Sequence, residues 1–406
     1  MLNKIKINIF NNYIINYTDY PKGTGKIIPL VIIESMAMSV SYLISIYLVN
    51  SLHFTPFQIG KLVSSLSLGT CIGSLLSGYL TTRVSVTKVS SLGLFIYALG
   101  FFLLSCVTSY HYLLATLFLC GVGGIFMMIA NLTALIKLAD DDLMKNRIIV
   151  LQSVVFNLSI SVCSFLMGYL KTEALKDLFV VFGVLLLFSG MFVFSIKRNS
   201  SIIKTNKAPN RSGRINLPVI IMILPIIFFY GVIYSLVKIY FPVEAVSRFN
   251  NPFFSWLVMS TNPLMIIFLQ PLLINKLKSR GNIFLLSLGA CFLGFGYVMF
   301  GLSTYLIPSI LFVFLATVGE MIFSPISKKL AATSFGYGNE GIGLASWKMT
   351  YYFSGVLGAV FVGYLGENFQ KLNIWLICIP LSIAIILCAI CYNSYVENKQ
   401  KRGLYV

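Results

Sequence analysis

"KRNSSIIKTNKAPNRSGRI", residues 197–215, is the longest polar interval of a chain that is otherwise built largely of apolar runs. It holds six basic residues and no acidic one, and what lies on its two sides decides the fold. Of the 406 residues, 58% are hydrophobic and 10% charged, and the mean hydropathy of +0.89 is far above that of a soluble domain. Apolar spans recur at 27–51, 57–82, 89–107, 112–137, 148–170, 178–196, 216–241, 253–275, 282–303, 306–330, 342–365 and 373–396. Each is near the roughly 20 residues that a bilayer-crossing helix needs. Six precede the basic interval and six follow it. The pattern predicts an all-α membrane protein with twelve transmembrane helices in two six-helix bundles.

The expected organisation is a cytoplasmic segment (1–26), a first bundle (27–198), a basic cytoplasmic linker (199–215), a second bundle (216–396) and a cytoplasmic tail (397–406). Residues 1–26 lack the continuous apolar core of a cleavable signal, so the first span serves as the insertion signal. That leader reads either as an interfacial amphipathic segment or as a disordered tail. The net charge of +18 is explained by its placement. With the N-terminus inside, Lys61, Lys171, Lys176, Lys238, Arg248 and Lys371 fall on the outer side and Lys348 within a span; the rest of the 30 Lys and Arg are cytoplasmic. No nucleic-acid partner is needed. Compact loops and the lack of an organelle address point to a bacterial plasma membrane.

The two halves repeat with an offset of about 195 residues. MGYLKTE (167–173) is echoed by VGYLGEN (362–368), and the basic turn after GYLTTRVSVTK (78–88) by the one after PLLINKLKSRG (271–281). Over essentially its whole length the chain thereby resembles the major facilitator superfamily, whose signature after the second span is Gly-x-x-x-Asp-Arg-x-Gly-x-Arg-Arg. Here Gly78, Thr82, Arg83, Ser85 and Lys88 stand at its positions, Thr82 replacing the Asp and Ser85 the second Gly. The resemblance implies two bundles around a central cavity that opens alternately to each side, with Gly78, Arg83 and Lys88 in a gating loop.

Three charges stand out inside the spans: Glu34, Glu320 and Lys348. Ionisable groups at membrane depth are costly, so they face a cavity or a partner. Glu320 lies in GEMIFSP (319–325), and burial favours the neutral form of a carboxyl, the property a proton-coupling site uses. Pro325, five residues on, removes a backbone donor and gives the helix a place to bend. GGIF (123–126) aligns with VGEM (318–321), which puts Ile125 at the position matching Glu320. The segment is similar to the Gly-Glu-x-x-x-[Ser/Thr]-Pro of the tenth helix in proton-coupled multidrug antiporters and peptide transporters. That resemblance implies a proton- or amine-binding role for Glu320.

Lys348 is expected either to pair with Glu320 or to snorkel toward the interface. Glu34 is expected to share the proton load or to attract a cationic substrate. Asn131, Tyr230, Tyr234, Gln270, Trp347 and Tyr351 join Lys348 as candidate substrate contacts; Tyr42, Asn157, Gln152 and Tyr352 are further polar candidates. Met36, Met38, Met127 and Met128 offer either adaptable lining or ordinary packing. Two antiporter marks are missing: Leu117 stands where an Arg is usual, and Cys163-Ser164 where a Gly-Pro pair is usual.

No phosphate-loop, Ser-His-Asp or metal-ligand pattern is found, so neither an enzyme nor a cofactor or metal site is expected. The favoured reading is a monomeric secondary transporter exchanging protons for amphipathic, cationic small molecules. The alternatives are a carrier of peptide-like or zwitterionic compounds and a non-transporting sensor of the same fold.

Overall fold

The computed structural model describes residues 20–21, 23–136, 138, 142–170, 172–195, 217–249, 251–277, 280–334, 340–369 and 373–401. Most of the leader (1–19 and 22), the basic linker, Lys171 and Lys371 lie outside the described residues. Among the described residues the chain is all-helical, and twelve helices are long and apolar enough to cross a membrane.

Their starts follow local chemistry. The second helix, Pro56–Arg83, opens on a Thr55–Gln58 capping box with proline in its first turn, as the sequence T-P-F-Q dictates. The first span is two segments, Thr24–Tyr42 and Ile44–Asn50. Between them the Leu43 N–H bonds to both the Ser39 and Val40 carbonyls, tightening the turn.

Several helices overrun their predicted ends, and two of these bear on the site. The seventh, expected to stop at 241, is Leu217–Phe249, and the tenth continues through Pro325 from Leu306 to Ser334. At 1.5 Å per residue the 33-residue seventh helix is about 50 Å long, more than a bilayer's apolar thickness. This moves Lys238, counted among the outer-side charges near the end of its span, well inside a helix. The apolar run fades near Phe241 although the helix does not, so a residue that hydropathy sets three positions from the span's end lies eleven from the helix's end.

The halves repeat in their packing. In the first, the third helix (Val86–Cys106) crosses the fourth (Tyr110–Ile136) where Gly93 faces Met127 and Gly123 faces Tyr97; a Cβ on Gly123 would lie 2.5 Å from the Tyr97 nitrogen. In the second, the ninth helix (Asn282–Leu302) crosses the tenth where Gly289 faces Phe323 and Gly319 faces Leu293, again 2.5 Å from a backbone nitrogen. Lipid gives helices no hydrophobic reason to associate, so close backbone approach over small residues holds such pairs. All four matched positions differ by 196 residues. The twin of Glu320 is therefore Gly124, not Ile125: helix contact sets the register one residue away from the short sequence match.

Two helix pairs make the broadest contacts between the halves. The second helix packs on the eleventh (Glu340–Asn368), with Gly60 and Gly363 in the seam. The fifth (Asp142–Tyr169) packs on the eighth (Pro252–Leu277), where the Trp256 indole N–H donates to the Ser161 carbonyl at 3.0 Å. Phe188, Phe192 and Phe194 on the sixth helix, and Ile307 and Leu311 on the tenth, are more than half exposed and form part of an outward apolar belt suited to lipid.

Candidate functional site

A cavity of about 370 Å³ lies at the seam of the two bundles. Its walls follow helical spacing, in which residues four apart share a face. The tenth helix contributes Glu320, Ser324 and Lys328; the eighth Asn262, Ile266 and Gln270; the seventh Tyr234 and Lys238; the eleventh Tyr351 and Tyr352. The first half supplies Met38, Ser41, Tyr42, Ser67, Thr70, Tyr97, Gly124, Met128, Ser153 and Asn157, among others.

Glu320 is half-buried and reaches this space. Its Oε2 accepts a hydrogen bond from Asn262 Nδ2 at 2.6 Å, and that amide also donates to Thr317 Oγ1 at 3.2 Å. Tyr234 lies beside the same carboxylate. The expected Glu320–Lys348 pair is not formed. Among the described residues no cation lies within 4 Å of Glu320, and Lys348 is instead an electrostatic neighbour of Lys328. Similar depth does not suffice: Glu320 lines the cavity, and Lys348 is not among its lining residues.

Lys238 replaces Lys348 as the deep cation. Its Nζ lies 5.7 Å from the Tyr42 ring centre and 5.6 Å from that of Tyr351, so it bridges the two halves across aromatic faces. Its backbone carbonyl accepts from Ser45 Oγ of the first half at 3.0 Å, fixing that turn. Lys328, expected to be cytoplasmic, also lines the cavity, with Nζ 4.9 Å from the Trp347 ring centre. Among the described lining residues the carboxylate and ammonium groups are Glu320, Lys238 and Lys328.

The structure places the other candidates in two groups. Tyr42, Asn157, Tyr234, Gln270, Tyr351 and Tyr352 line the cavity, as do Met38 and Met128. Tyr230 and Trp347 stand behind the wall: Tyr230 stacks on Phe323 at 4.6 Å and Trp347 on Tyr351 at 5.2 Å, while the Trp347 indole donates to Ser327 Oγ at 3.0 Å. Glu34 and Asn131 are also off the cavity. Glu34 is 1% exposed and accepts from Asn131 Nδ2 at 2.7 Å; Asn131 Oδ1 accepts from Ser90 Oγ at 2.8 Å, and Gln152 faces the same carboxylate. This is a closed polar network inside the first bundle. Gly78 meets open space and Lys88 is exposed, while Arg83 lies over the Tyr79 ring at 4.7 Å.

Sequence reading missed Lys238, Lys328 and Asn262. For Asn262 a signal existed, an Asn-Pro pair in the middle of an apolar span.

The halves are hydrogen-bonded to each other on one side, the distal face, where the second helix begins and the eleventh ends. Glu367, near the end of the eleventh helix, accepts from Thr55 Oγ1 at 2.6 Å and from the Phe57 N–H at 3.1 Å, both at the start of the second. Ser45–Lys238 and Trp256–Ser161 also join the halves, and they too lie toward that distal face.

The family model described as Major Facilitator Superfamily matches residues 27–358. A search of curated proteins finds no match. Among solved structures, a point mutant of the nucleoside transporter NupG superimposes with a TM-score of 0.73 at 12% identity, covering 91% of this chain and 99% of that one. A POT family transporter in complex with 5-aminolevulinic acid gives 0.73 at 14% identity, covering 93% and 96%. A POT family transporter in complex with a thioalcohol-conjugated peptide gives 0.72 at 14%, with the same coverage.

Proposed function

Because the chain belongs to the major facilitator superfamily, we propose that it is a proton-coupled secondary transporter of small polar molecules. It works by alternating access, through rocking of residues 1–198 against 216–406, in a plasma membrane with both termini cytoplasmic. The observation that carries this reading is Glu320: an ionisable carboxyl with an amide partner and no close cation among the described residues, on the wall of a cavity between two bundles that are hydrogen-bonded to each other on the distal face. A proton taken up there changes the cavity's charge without a change of cargo. A carrier needs such a switch if it is to use a proton gradient.

The cavity bears on the cargo. Two lysines and one carboxylate on the cavity wall disfavour the cationic substrates first expected and favour cargo with an acidic group, zwitterions included. The neighbours named for nucleosides and peptides also carry small polar molecules. The tyrosine-rich wall, with Tyr42, Tyr97, Tyr234 and Tyr351, is the observation that keeps cation efflux as a second reading.

The test is compound-dependent proton flux into dye-loaded proteoliposomes, with cationic dyes, dipeptides and organic acids as candidate cargo. Flux that wild type shows and Glu320→Gln loses supports coupling at Glu320. Equal flux in both makes Glu320 a packing residue and removes the reading.

A further inference from the structure

A second function of the cavity follows from Lys238, which the sequence placed outside it. The Lys238 ammonium reaches the cavity wall, and among the described residues no carboxylate lies within 4 Å of it. What surrounds it is aromatic: the faces of Tyr42 from the first bundle and Tyr351 from the second, each more than 5 Å from the nitrogen. Rings at that range attract a cation only weakly, and they leave its hydrogen-bonding positions open.

One helical turn away, Tyr234 points into the same space. It is 8% exposed, and its buried hydroxyl lies beside the Glu320 carboxylate without a hydrogen bond of good geometry to it. A buried donor left open costs stability unless something visits it. A three-donor ammonium and a nearby unfilled hydroxyl on one helix face are complementary to a carboxylate, sulfonate or phosphate group. Lys328, farther along the wall toward the termini, adds a second positive charge on the approach.

We propose that Lys238, with Tyr42, Tyr234 and Tyr351, forms an anion subsite, and that the cargo is a small organic anion. The proposal rests on reading the cavity as the transport site. Counting the lining carboxylate and ammonium groups, the cavity carries one positive charge when Glu320 is ionised and two when it is neutral. Neutral Glu320 therefore strengthens the field that holds the anion, and the anion in turn favours neutral Glu320; by linkage the two effects are equal. Proton and anion then travel together, whereas a cation would compete with the proton. The tyrosine faces suit a compact, flat body behind the acidic group.

The experiment uses the purified full-length protein and three probes that share one phenol ring: 4-hydroxyphenylacetate (carboxylate only), tyramine (ammonium only) and tyrosine (both). Calorimetric titration at neutral pH is expected to show tightest binding of 4-hydroxyphenylacetate. Lys238→Gln should weaken that binding at least tenfold, Lys238→Arg should largely restore it, and Glu320→Gln should leave it equal or tighter. The Arg variant separates loss of charge from loss of fold. Tightest binding of tyramine, a Lys238→Gln dissociation constant within twofold of wild type, or binding of none of the three would each overturn the subsite. If Lys238→Gln binds normally while Glu320→Gln still loses proton flux, the subsite fails and the transport reading stands. If 4-hydroxyphenylacetate binds through Lys238 but no compound moves protons in vesicles, the subsite stands and proton coupling fails.

Discussion

Removing Glu367 should loosen the distal contact between the halves by a calculable amount. Its carboxylate belongs to the eleventh helix and both its donors, Thr55 Oγ1 at 2.6 Å and the Phe57 N–H at 3.1 Å, to the other half. These bonds therefore exist only while the distal face is shut. Hydrogen bonds to a charged acceptor contribute about 1.5–3 kcal/mol when sheltered. Here Thr55 is exposed and water competes, so about 1 kcal/mol each is the better figure. Glu367→Ala then costs the closed state about 2 kcal/mol, a shift of roughly 30-fold in the ratio of closed to open forms. Glu367→Gln keeps an acceptor oxygen and should shift it only about fivefold. The start of the second helix is not at risk, because Thr55 keeps its capping box with Gln58. Spin labels on unnatural amino acids at positions 53 and 305, both exposed and in opposite halves, report the distal gap without touching the eight native thiols. The wild-type distance distribution sets the starting ratio. If Glu367→Ala moves that ratio less than threefold, while Gly60→Leu at the same seam moves it more, the carboxylate is not what holds the face shut.

The repeated helix crossings make a paired prediction: Gly123→Leu and Gly319→Leu should each destabilise by about 1–3 kcal/mol, because each new side chain meets backbone that cannot step aside. Thermal unfolding in detergent measures both, and a large effect at one with none at the other would break the packing equivalence of the halves. In the first bundle, Glu34→Gln should be nearly neutral, since an amide oxygen still accepts from Asn131. Asn131→Ala should cost about 1–3 kcal/mol by leaving Glu34 and Ser90 without their shared partner. The same unfolding assay reads both variants, and the reverse order would argue that the Glu34 charge itself is used.

Most of the architecture was legible because membrane helices announce themselves by length and continuous apolarity, and twelve such runs divided by one basic interval leave few folds. Depth was legible too: Glu34, Glu320 and Lys348 all sit within helices. Direction was not. Whether a side chain at a given depth meets the cavity, a neighbouring helix or lipid depends on rotation about the helix axis and on what packs behind it. Glu320 meets the cavity, while Glu34 is closed in by Asn131 and Gln152. Lys238 was lost for a different reason. It fell three residues from the predicted end of its span and was counted with the outer-side charges, but past Phe241 the helix continues as the amphipathic PVEAVSRF, which sets Lys238 deeper. Asn262 was lost because its partner is 58 residues away, and a hydrogen bond between helices leaves no mark in either sequence segment.

The repeat makes the two halves alike in scaffold, and the cavity makes them unlike in charge. Glycine crossings 196 residues apart give both halves the same helix spacing. Yet the charged lining residues Lys238, Glu320 and Lys328 all come from the seventh and tenth helices, while the position matching Glu320 is Gly124. The first half meets the cavity with Ser41, Tyr42, Ser67, Thr70 and Asn157, groups that read shape and hydrogen bonding. Under the proposed cycle, a proton at Glu320 or an anion at Lys238 changes the electrostatics of one bundle alone. That change reaches the other bundle through contacts spanning the seam. Lys238 supplies two of them, its ammonium over the Tyr42 ring and its carbonyl held by Ser45. A cargo with its acid on Lys238 and its body against the first half would supply a third. Division of labour between a charged half and a neutral half thus makes cargo the link through which the charge state of one bundle bears on the position of the other.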